Sequence, residues 1–327
     1  MSIVLRILSE ASGLTTYDVR RIMVSAPRRY KVYMIPKRSG GLREIAQPAR
    51  EVKNLQRIFL SNFLSKMPVH QCAMAYRDNT SILQNAAAHS GAGRPILKMD
   101  FESFFPSLRD SDWIHYCRDN KVEFSEEELE LSARLLFRRV PGMRSLRLAI
   151  GAPTSPHLSN ILMFEFDRLV SAYAVTEKLT YTRYADDLTF SASRTGFLTG
   201  VRKKIDSIIK ELNSPRLVVN ESKTVTATAK HKRIVTGLVL ANNGTVTIGK
   251  ERKRLIHSAV HHASKGQLNA SQVQELCGFL GYVHAVEPGF LDTLKRRYGS
   301  NLIADIQNVE RLPRDRRTQS MPLFPRR

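Results

Sequence analysis

Three aspartates stand where strands are predicted to end or bend, and their carboxylates could bind divalent cations. Asp100 follows the apolar segment PILKM (95–99), and Asp186 and Asp187 lie among β-forming residues in YTRYADDLTFSAS. Magnesium prefers carboxylate, phosphate and water oxygens. Two such ions about 3.5–4 Å apart activate a hydroxyl and stabilise a leaving pyrophosphate in nucleotide addition. If the strand before Asp100 lies beside the hairpin around Asp186 and Asp187, the three acids converge.

Each acid also has an ordinary structural explanation. An Asp-Asp pair is common turn chemistry, and a lone Asp at the end of a strand is commoner still. Taken singly, each acid is better explained by structure than by catalysis. Their order along the chain and the segments around them favour a catalytic set.

The charge distribution predicts a polyanionic partner. The chain of 327 residues has a net charge of +21, yet residues 101–200 carry 12 Lys/Arg and 14 Asp/Glu, which leaves +23 on the remainder. A basic chain with an acidic middle suits a nucleic-acid channel around a cation site. Ribosomal and chromatin proteins have similar totals, so the charge alone does not decide between these classes.

Composition excludes several other classes. Hydrophobic residues make up 42% of the chain, which permits a sizeable core and argues against wholesale disorder. No stretch approaches the roughly 18 apolar residues of a membrane span, and MSIVLRILSE is too short and mixed for a secretory signal, so we expect a cytoplasmic protein. Cys72, Cys117 and Cys277 are far apart and are predicted to be reduced core thiols.

The elements needed to position the acids can be read from local patterns. Helices are predicted over 1–26, 51–66, 125–139, 157–175 and 197–212, with Ser125 and Glu128 as a capping box. Strands are predicted over 31–36, 42–46, 95–99, 216–220 (RLVVN) and 233–240 (RIVTGLVL), and Asn243-Gly244 turns the last of these back into VTIG. From about residue 250 the pattern is helical only, over 250–264, 271–286 and 289–298.

Four segments in this order resemble the motifs of reverse transcriptases. YADD at 184–187 matches their Tyr-x-Asp-Asp box, and Asp100 matches their first palm aspartate. GAPTSP at 151–156 is similar to their Gly-x-x-x-Ser-Pro segment, and VNESKT at 219–224 is similar to the lysine-bearing motif beyond the palm hairpin. The set spans roughly residues 30–250, and four motifs in the family order are far more specific than any one.

The resemblance implies an α+β, right-hand polymerase fold. Fingers and palm, an antiparallel sheet packed by helices, would occupy residues 1–248, and a small helical thumb would occupy 249–311. The tail from Leu312, with five arginines and three prolines, is predicted to be disordered. The implied cofactor is two Mg²⁺ ions, with Mn²⁺ as a substitute, bound by Asp100, Phe101, Asp186 and Asp187.

Five residues are implied to bind the incoming dNTP. Lys37 and Arg43 lie on a hairpin with Gly40-Gly41 at its tip, and such side chains can grip a triphosphate. Phe105 would close against the sugar and disfavour a 2′-hydroxyl, although Phe104 and Phe105 could both be core residues. Ala152 belongs to the Gly-x-x-x-Ser-Pro segment. Lys223 would protonate the pyrophosphate or sense the triphosphate, and its alternative is an ordinary surface lysine.

Two features fit the family less directly. Ile150 stands where many reverse transcriptases have Gln, so any hydrogen bond made by that Gln is missing or moved. His257 and His261 have the i,i+4 spacing of metal ligands, but no third ligand is evident. A helix face against nucleic acid is the preferred interpretation of these histidines.

Two short segments narrow the resemblance to retron reverse transcriptases. NAAAH at 85–89 matches their Asn-Ala-x-x-His motif, and VTG at 235–237 matches their Val-Thr-Gly motif. The resemblance implies RNA-binding roles for Asn85, His89, Val235, Thr236 and Gly237. Fingers, palm and thumb account for the sequence and leave no segment for an RNase H, integrase, endonuclease or maturase domain, which argues against retroviral and most group II intron enzymes.

Retron enzymes imply a particular set of partners. They copy part of a cognate structured non-coding RNA into multicopy single-stranded DNA, priming from an internal RNA 2′-hydroxyl, so the product is a branched RNA–DNA molecule. A toxic effector protein and host RNase H are further expected partners, anti-phage defence is the expected role, and no membrane is involved. The alternatives are a diversity-generating or abortive-infection reverse transcriptase, or an RNA-binding scaffold that restrains a toxic effector.

Overall fold

A computed structural model describes residues 2–37, 40–212, 214–309 and 323–324. Its helices are α1 (Ile3–Ser12), α2 (Thr16–Ser25), α3 (Arg50–Asn62), α4 (Ile82–Ala88), α5 (Phe104–Ser107), α6 (Asp110–Asp119), α7 (Glu126–Leu136), α8 (Ser155–Leu162), α9 (Phe164–Thr176), α10 (Val201–Leu212), α11 (Lys250–Ser264), α12 (Ala270–Val286), α13 (Pro288–Tyr298) and α14 (Ser300–Gln307). Its strands are β1 (Tyr30–Pro36), β2 (Leu42–Pro48), β3 (Ile96–Asp100), β4 (Phe137–Arg138), β5 (Arg147–Leu148), β6 (Thr180–Tyr184), β7 (Asp187–Ser191), β8 (Val225–Ala227), β9 (Arg233–Val235), β10 (Leu238–Leu240) and β11 (Val246–Thr247).

A four-stranded antiparallel sheet in the order β6-β7-β3-β8 forms the palm. Its inward side chains, among them Met99, Leu188 and Phe190, are buried in the main hydrophobic core with helices from the first half of the chain. The acids predicted to be catalytic lie at one end of two adjacent strands of this sheet.

The predicted strand 216–220 is wrong. In that segment only Val219 forms an isolated antiparallel bridge, with Phe101, and the fourth strand is β8. The Val218 carbonyl accepts a hydrogen bond from the Glu102 amide, and the Asn220 amide donates to the Asp100 carbonyl. The chain then turns away at Ser103, which has φ 45°, so the paired stretch is too short to form a strand.

Local capping signals decide several helix ends. The predicted capping box at Ser125 and Glu128 is confirmed, and α7 begins directly after it. The predicted helix 1–26 is interrupted at Gly13, whose left-handed φ of 73° caps α1. The predicted helix 157–175 is also two helices, α8 and α9, which meet at Met163.

The fingers hairpin β1–β2 pairs Ile35 with Arg43 and docks on the segment after β5. The Ala46 amide donates to the Ile150 carbonyl at 2.8 Å. Ala46, Ala149 and Ala152 form a small buried cluster of their own. The hairpin therefore has a fixed base next to the palm, from which its tip projects.

The predicted strand 233–240 is in fact a tight hairpin. β9 and β10 pair with Val235 opposite Leu238, so Thr236 and Gly237 form a two-residue turn with φ values of 46° and 80°. Two positive φ angles are what such a turn needs to follow the strand twist. The predicted return into β11 is confirmed.

A second hydrophobic core joins β9–β11 to the C-terminal helices. Val235 and Leu238 are buried with Leu276 and Leu280 of α12. The predicted boundary between residues 248 and 249 stays a prediction, although this core extends across it. Helix α14 was not expected from the sequence pattern, and it packs against α12 and α13.

The predicted disorder of the tail concerns residues that mostly lie outside the described part of the chain. Leu323 and Phe324 are described and contradict it locally, because the Leu323 amide donates to Glu275 at 2.7 Å and Phe324 packs on Phe279. Two apolar side chains next to a partly apolar helix gain more by burial than by exposure.

Cys72 and Cys117 are buried, and Cys277 is half-buried. None of the helices in the described ranges combines the length and apolar character that crossing a membrane requires.

Candidate active site

The pairing of β3 with β7 brings the three aspartates together. Asp100 and Asp187 are direct partners across the two strands. Asp186 precedes Asp187 at the bend of the β6–β7 hairpin, and its carbonyl accepts a hydrogen bond from the Phe101 amide at 3.2 Å. The structure thus confirms that the strand ending at Asp100 lies beside the hairpin, as the convergence of the acids requires.

The carboxylates repel one another in a partly dehydrated site. Burial, together with the charges of Asp100 and Asp187, raises the pKa of Asp186 to about 6. The pKa of Asp187 is raised as well, first by burial and then by Asp100, against the opposing effect of Lys98. Clustered carboxylates whose charged forms are disfavoured gain stability when a cation binds.

Lys223 supplies a positive charge next to Asp100. Its Nζ lies 3.0 Å from both carboxylate oxygens of Asp100, and about half of its side chain remains exposed. It follows the bend that the Asn220 amide fixes by donating to the Asp100 carbonyl at 2.7 Å. The sequence motif therefore does bring its lysine to the first aspartate.

The donor set fits Mg²⁺, which binds through a few carboxylates and completes its shell with substrate phosphates and water. Asp100, Asp186 and Asp187 offer hard oxygen donors, and an ammonium group already contacts one of them. Among the described His, Cys, Asp and Glu side chains, no group of three is arranged to hold a metal ion by itself. The three aspartates therefore offer oxygen donors but not a preformed metal site.

Phe104 and Phe105 have different environments. Phe104 is buried in the main core, whereas Phe105 is only partly buried. The ring of Phe105 meets that of Tyr76 edge-on, with 6.4 Å between centroids. Phe105 is thus the member of the pair whose ring keeps some exposed surface.

Tyr76 is absent from the sequence-based site and is brought to it only by the fold. Its side chain is 45% exposed, and its backbone has φ 61°. Burial raises the pKa of its hydroxyl, the charge of Asp186 raises it further, and Arg43 opposes the effect. Tyr76 therefore adjoins Phe105 and is affected by the charges of Asp186 and Arg43, and no sequence motif signalled it.

The predicted triphosphate contacts lie on the fingers hairpin. Lys37 and Arg43 are exposed, and the Lys37 amide donates to the Gly41 carbonyl at 2.9 Å. Ala152 is buried at the base of the hairpin, so its methyl group supports the fingers rather than facing solvent. Ile150 uses its carbonyl to hold β2, which is a contact that any residue type could make.

Asn85 and His89 do not reach the surface. Both side chains are buried, and the His89 ring contacts Ser191 and Thr182, at 2.9 and 2.8 Å, on the two strands of the β6–β7 hairpin. Thr182 in turn donates to Asn85 at 2.6 Å. These residues therefore support the hairpin from its buried side. The motif implies side-chain contacts with RNA, but in this arrangement both side chains are buried.

The Val-Thr-Gly motif also contacts helix α4, which contains Asn85. The Thr236 hydroxyl donates to the Ile82 carbonyl at the start of α4, and the Gly237 carbonyl accepts from Arg252. The turn borders a cleft of about 940 Å³ between β9–β10 and helices α11 and α12. Gly237 is exposed there, and Val235 is buried.

The paired histidines of α11 make structural contacts. His257 Nδ1 lies 2.9 Å from the Tyr298 hydroxyl, and the His261 ring is also near Tyr298. Neither belongs to a group of three metal-capable side chains in the described ranges.

Comparison with known proteins agrees with this geometry. A family profile described as "Reverse transcriptase (RNA-dependent DNA polymerase)" matches residues 35–283. The chain is 36% identical to the retron Ec83 reverse transcriptase of Escherichia coli over 85% of this chain and 89% of that protein. It is 32% identical to the retron Ec86 reverse transcriptase of the same species, over 90% of both chains.

A solved structure shows the same fold. Telomerase from Candida albicans, in complex with a fragment of telomeric RNA, matches with a TM-score of 0.50 and 14% identity, over 90% of this chain and 58% of that chain. At that identity the likeness concerns the fold alone, which is the right-hand polymerase fold. The family profile and the retron relatives together show that the chain belongs to the reverse transcriptases and, within them, to the bacterial retron reverse transcriptases, which are RNA-directed DNA polymerases.

Proposed function

We propose that Asp100, Asp186 and Asp187 hold two Mg²⁺ ions, for which Mn²⁺ can substitute, and that this site extends DNA on an RNA template. The observation that carries the proposal is the register of β3 with β7, which makes Asp100 and Asp187 direct partners next to Asp186. Bound ions would activate the primer hydroxyl and neutralise charge on the leaving pyrophosphate.

The other residues of the site divide the remaining tasks. Arg43 and Lys37 bind the triphosphate from the fingers hairpin, and Phe105 closes on the deoxyribose. A cation held by Asp100 would replace the contact between this carboxylate and the Lys223 ammonium. The half-exposed side chain of Lys223 would then be free to contact the triphosphate and to protonate the leaving pyrophosphate.

Asp186→Asn tests the catalytic assignment. The variant keeps the side-chain shape but loses a ligand charge, so DNA synthesis on a primed RNA template should fall by at least about a thousandfold while RNA binding stays nearly unchanged. Asp119→Asn makes the same change at an exposed site at the end of α6 and should retain full activity. Full synthesis by Asp186→Asn in Mg²⁺ would refute the role of this acid.

We further propose that the template is part of a cognate structured non-coding RNA and that synthesis starts from an RNA 2′-hydroxyl. The retron relatives support this, as does the turn at Thr236 and Gly237, which borders the cleft next to α11 and α12. Glycine allows close approach of a ribose, and the 2′-hydroxyl distinguishes RNA from DNA there. The product would be branched multicopy single-stranded DNA, trimmed with host RNase H and held with an effector protein in anti-phage defence.

The branched product can be tested directly. The protein is expressed with its genomic flanks, the copurified nucleic acid is freed of protein, and half is treated with a 2′–5′ debranching enzyme. A mobility change with the wild type, absent with Asp186→Asn, is expected. Unbranched DNA primed from a 3′ end would contradict 2′-hydroxyl priming but leave the polymerase assignment intact.

A further inference from the structure

A buried ion pair lies directly beneath the turn that carries Asp186. Arg183 of β6 and Asp167 of α9 are both completely buried. Arg183 Nε lies 2.9 and 3.1 Å from the two Asp167 oxygens, and its NH2 nitrogen lies 2.6 Å from Oδ2. The Tyr181 hydroxyl donates to the same carboxylate at 2.9 Å. The two charges thus neutralise each other by direct contact.

One guanidinium nitrogen of Arg183 does not contact Asp167 and instead bonds to the turn. Arg183 NH1 donates to the Ala185 carbonyl at 3.0 Å. Ala185 has φ 58°, a left-handed conformation that a residue with a Cβ adopts at a cost. Because the peptide unit is planar, fixing this carbonyl also fixes the orientation of the Asp186 amide.

Stability alone does not account for the pair. Replacing a buried ion pair with apolar residues of similar volume is often neutral or stabilising. What an apolar pair cannot do is donate a hydrogen bond to the Ala185 carbonyl. Lysine is also a poor substitute, because its point charge lacks the planar fork that binds a carboxylate with one edge and leaves a third nitrogen free.

We propose that Arg183, oriented by Asp167, is a positioning residue that holds the Ala185–Asp186 peptide so that the Asp186 carboxylate faces the cation site. The proposal rests on the proposed function, in which Asp186 is a metal ligand. The main chain of Arg183 is fixed separately, since its amide donates to the Cys72 carbonyl and its carbonyl accepts from the Met74 amide. Side-chain substitutions therefore leave the strand paired.

The central test is the double variant Arg183→Met, Asp167→Leu, which removes both buried charges together. It should fold with reduced stability, because the Tyr181 hydroxyl and the Ala185 carbonyl lose their partners, and it should need about tenfold more Mg²⁺ for half-maximal DNA synthesis. Its kcat should be on the order of 10- to 100-fold lower, the size expected for a ligand displaced by about 1 Å, while KM for dNTP changes little. Direct titration with Mn²⁺, without substrate, should show the same weakening.

Two further variants keep the test decisive. Arg183→Lys retains the buried charge pair and should fold, but it should also shift the Mg²⁺ requirement upward because one donor arm is lost. Tyr181→Phe removes a different hydrogen bond to Asp167 and should leave the Mg²⁺ requirement unchanged, which separates positioning from packing.

Wild-type Mg²⁺ dependence and kcat in the double variant, or in Arg183→Lys if the double variant does not fold, would show that the pair is structural only. That outcome differs from failure of the catalytic assignment. If Asp186→Asn is inactive while the Arg183 variants behave as wild type, the metal role stands and the positioning role is wrong. If Asp186→Asn is active, both are wrong.

Discussion

Phe104 and Phe105 are adjacent in sequence, but Phe104 belongs to the hydrophobic core, whereas Phe105 is proposed to select the sugar of the incoming nucleotide. Replacing Phe105 with Val should raise ribonucleotide incorporation relative to deoxyribonucleotide by at least about tenfold, because the smaller side chain leaves room for a 2′-hydroxyl. Its ring is partly exposed beside Tyr76. The measurement is kcat/KM for a matched ribo- and deoxyribonucleotide on one primed RNA template.

The neighbouring position provides the control. Phe104→Val removes a ring buried in the main core and should cost roughly 1–3 kcal/mol of unfolding free energy without changing sugar discrimination. Unchanged discrimination in an active Phe105→Val variant would place the sugar selection elsewhere, with Tyr76 as the next candidate.

His89 predicts a pH dependence of stability. Burial, and secondarily Arg94, lowers its pKa from 6.5 to about 3. The unfolded chain therefore takes up a proton below about pH 6.5 while the folded protein does not, so this residue removes stability as the pH falls from 6.5 towards 3. The slope for one proton is about 1.4 kcal/mol per pH unit.

His89→Gln exposes that contribution. The variant should be less stable than the wild type at pH 7.5, because hydrogen bonds to Thr182 and Ser191 are lost or strained. Its stability should nevertheless fall less steeply between pH 6.5 and 4 in denaturant titrations. His231→Gln, at an exposed histidine, should leave the wild-type slope. Parallel curves for His89→Gln and the wild type would contradict the buried, neutral imidazole.

At the scale of elements, the attachment of the fingers hairpin depends on a glycine. Gly151 has φ 121°, and a Cβ there would lie 3.0 Å from the Ala46 carbonyl oxygen and 3.1 Å from Ile45. Gly151→Ala should cost about 1–3 kcal/mol in backbone strain alone. Since β2 also carries Arg43, displacing this strand should raise KM for dNTP several-fold.

Gly142→Ala is the matched control. Gly142 has φ 78° with nothing within 4 Å of an added Cβ, so it carries the backbone cost without the clash. Thermal unfolding should show a loss in both variants, whereas KM should rise only for Gly151→Ala. An equal rise in both would mean that the contact with β2 does not set the position of Arg43.

Helix α4 links the two segments that match retron motifs. Its first residue, Ile82, accepts a hydrogen bond from Thr236, and its end places His89 against the β6–β7 hairpin. Motifs that lie about 150 residues apart therefore share one helix. The resemblance identified both motifs, but their sequences gave no sign of this connection, because it depends on the packing of both β9 and β6 against α4.

At the scale of the whole molecule, the charge distribution predicts a strong salt effect. The +23 outside residues 101–200 implies several phosphate contacts, and each releases counterions on binding. Affinity for an RNA–DNA hybrid should fall by about a thousandfold or more between about 50 and 200 mM salt if six or more phosphates are contacted. The measurement is a salt titration of Kd by fluorescence anisotropy.

Removing residues 312–327 takes away five of the arginines. The slope of log Kd against log salt should then decrease only modestly, since most of the positive charge remains. A salt-independent affinity in the full chain would show that the basic surface is not the nucleic-acid site.

The sequence by itself determined the features that depend on near neighbours and on motif order. The capping box at Ser125, the fingers hairpin and the β6–β7 hairpin at Asp186 are encoded within a few residues, because capping and turn formation are local. The four ordered motifs were enough to identify the family, which the comparisons then established.

Only the tertiary structure decided which distant residues meet. Lys223 contacts Asp100, and Tyr76 faces Phe105. These residues lie far apart in the sequence, and no periodic pattern predicts that they meet. The segment 233–240 became a hairpin because α4 and the C-terminal helices bury β9 and β10 on either side of the turn. Arg183 lies on β6 and its partner Asp167 lies on α9, and both side chains are completely buried. A buried charge is stable only with such a partner, and the chain reveals the partner only when it is folded.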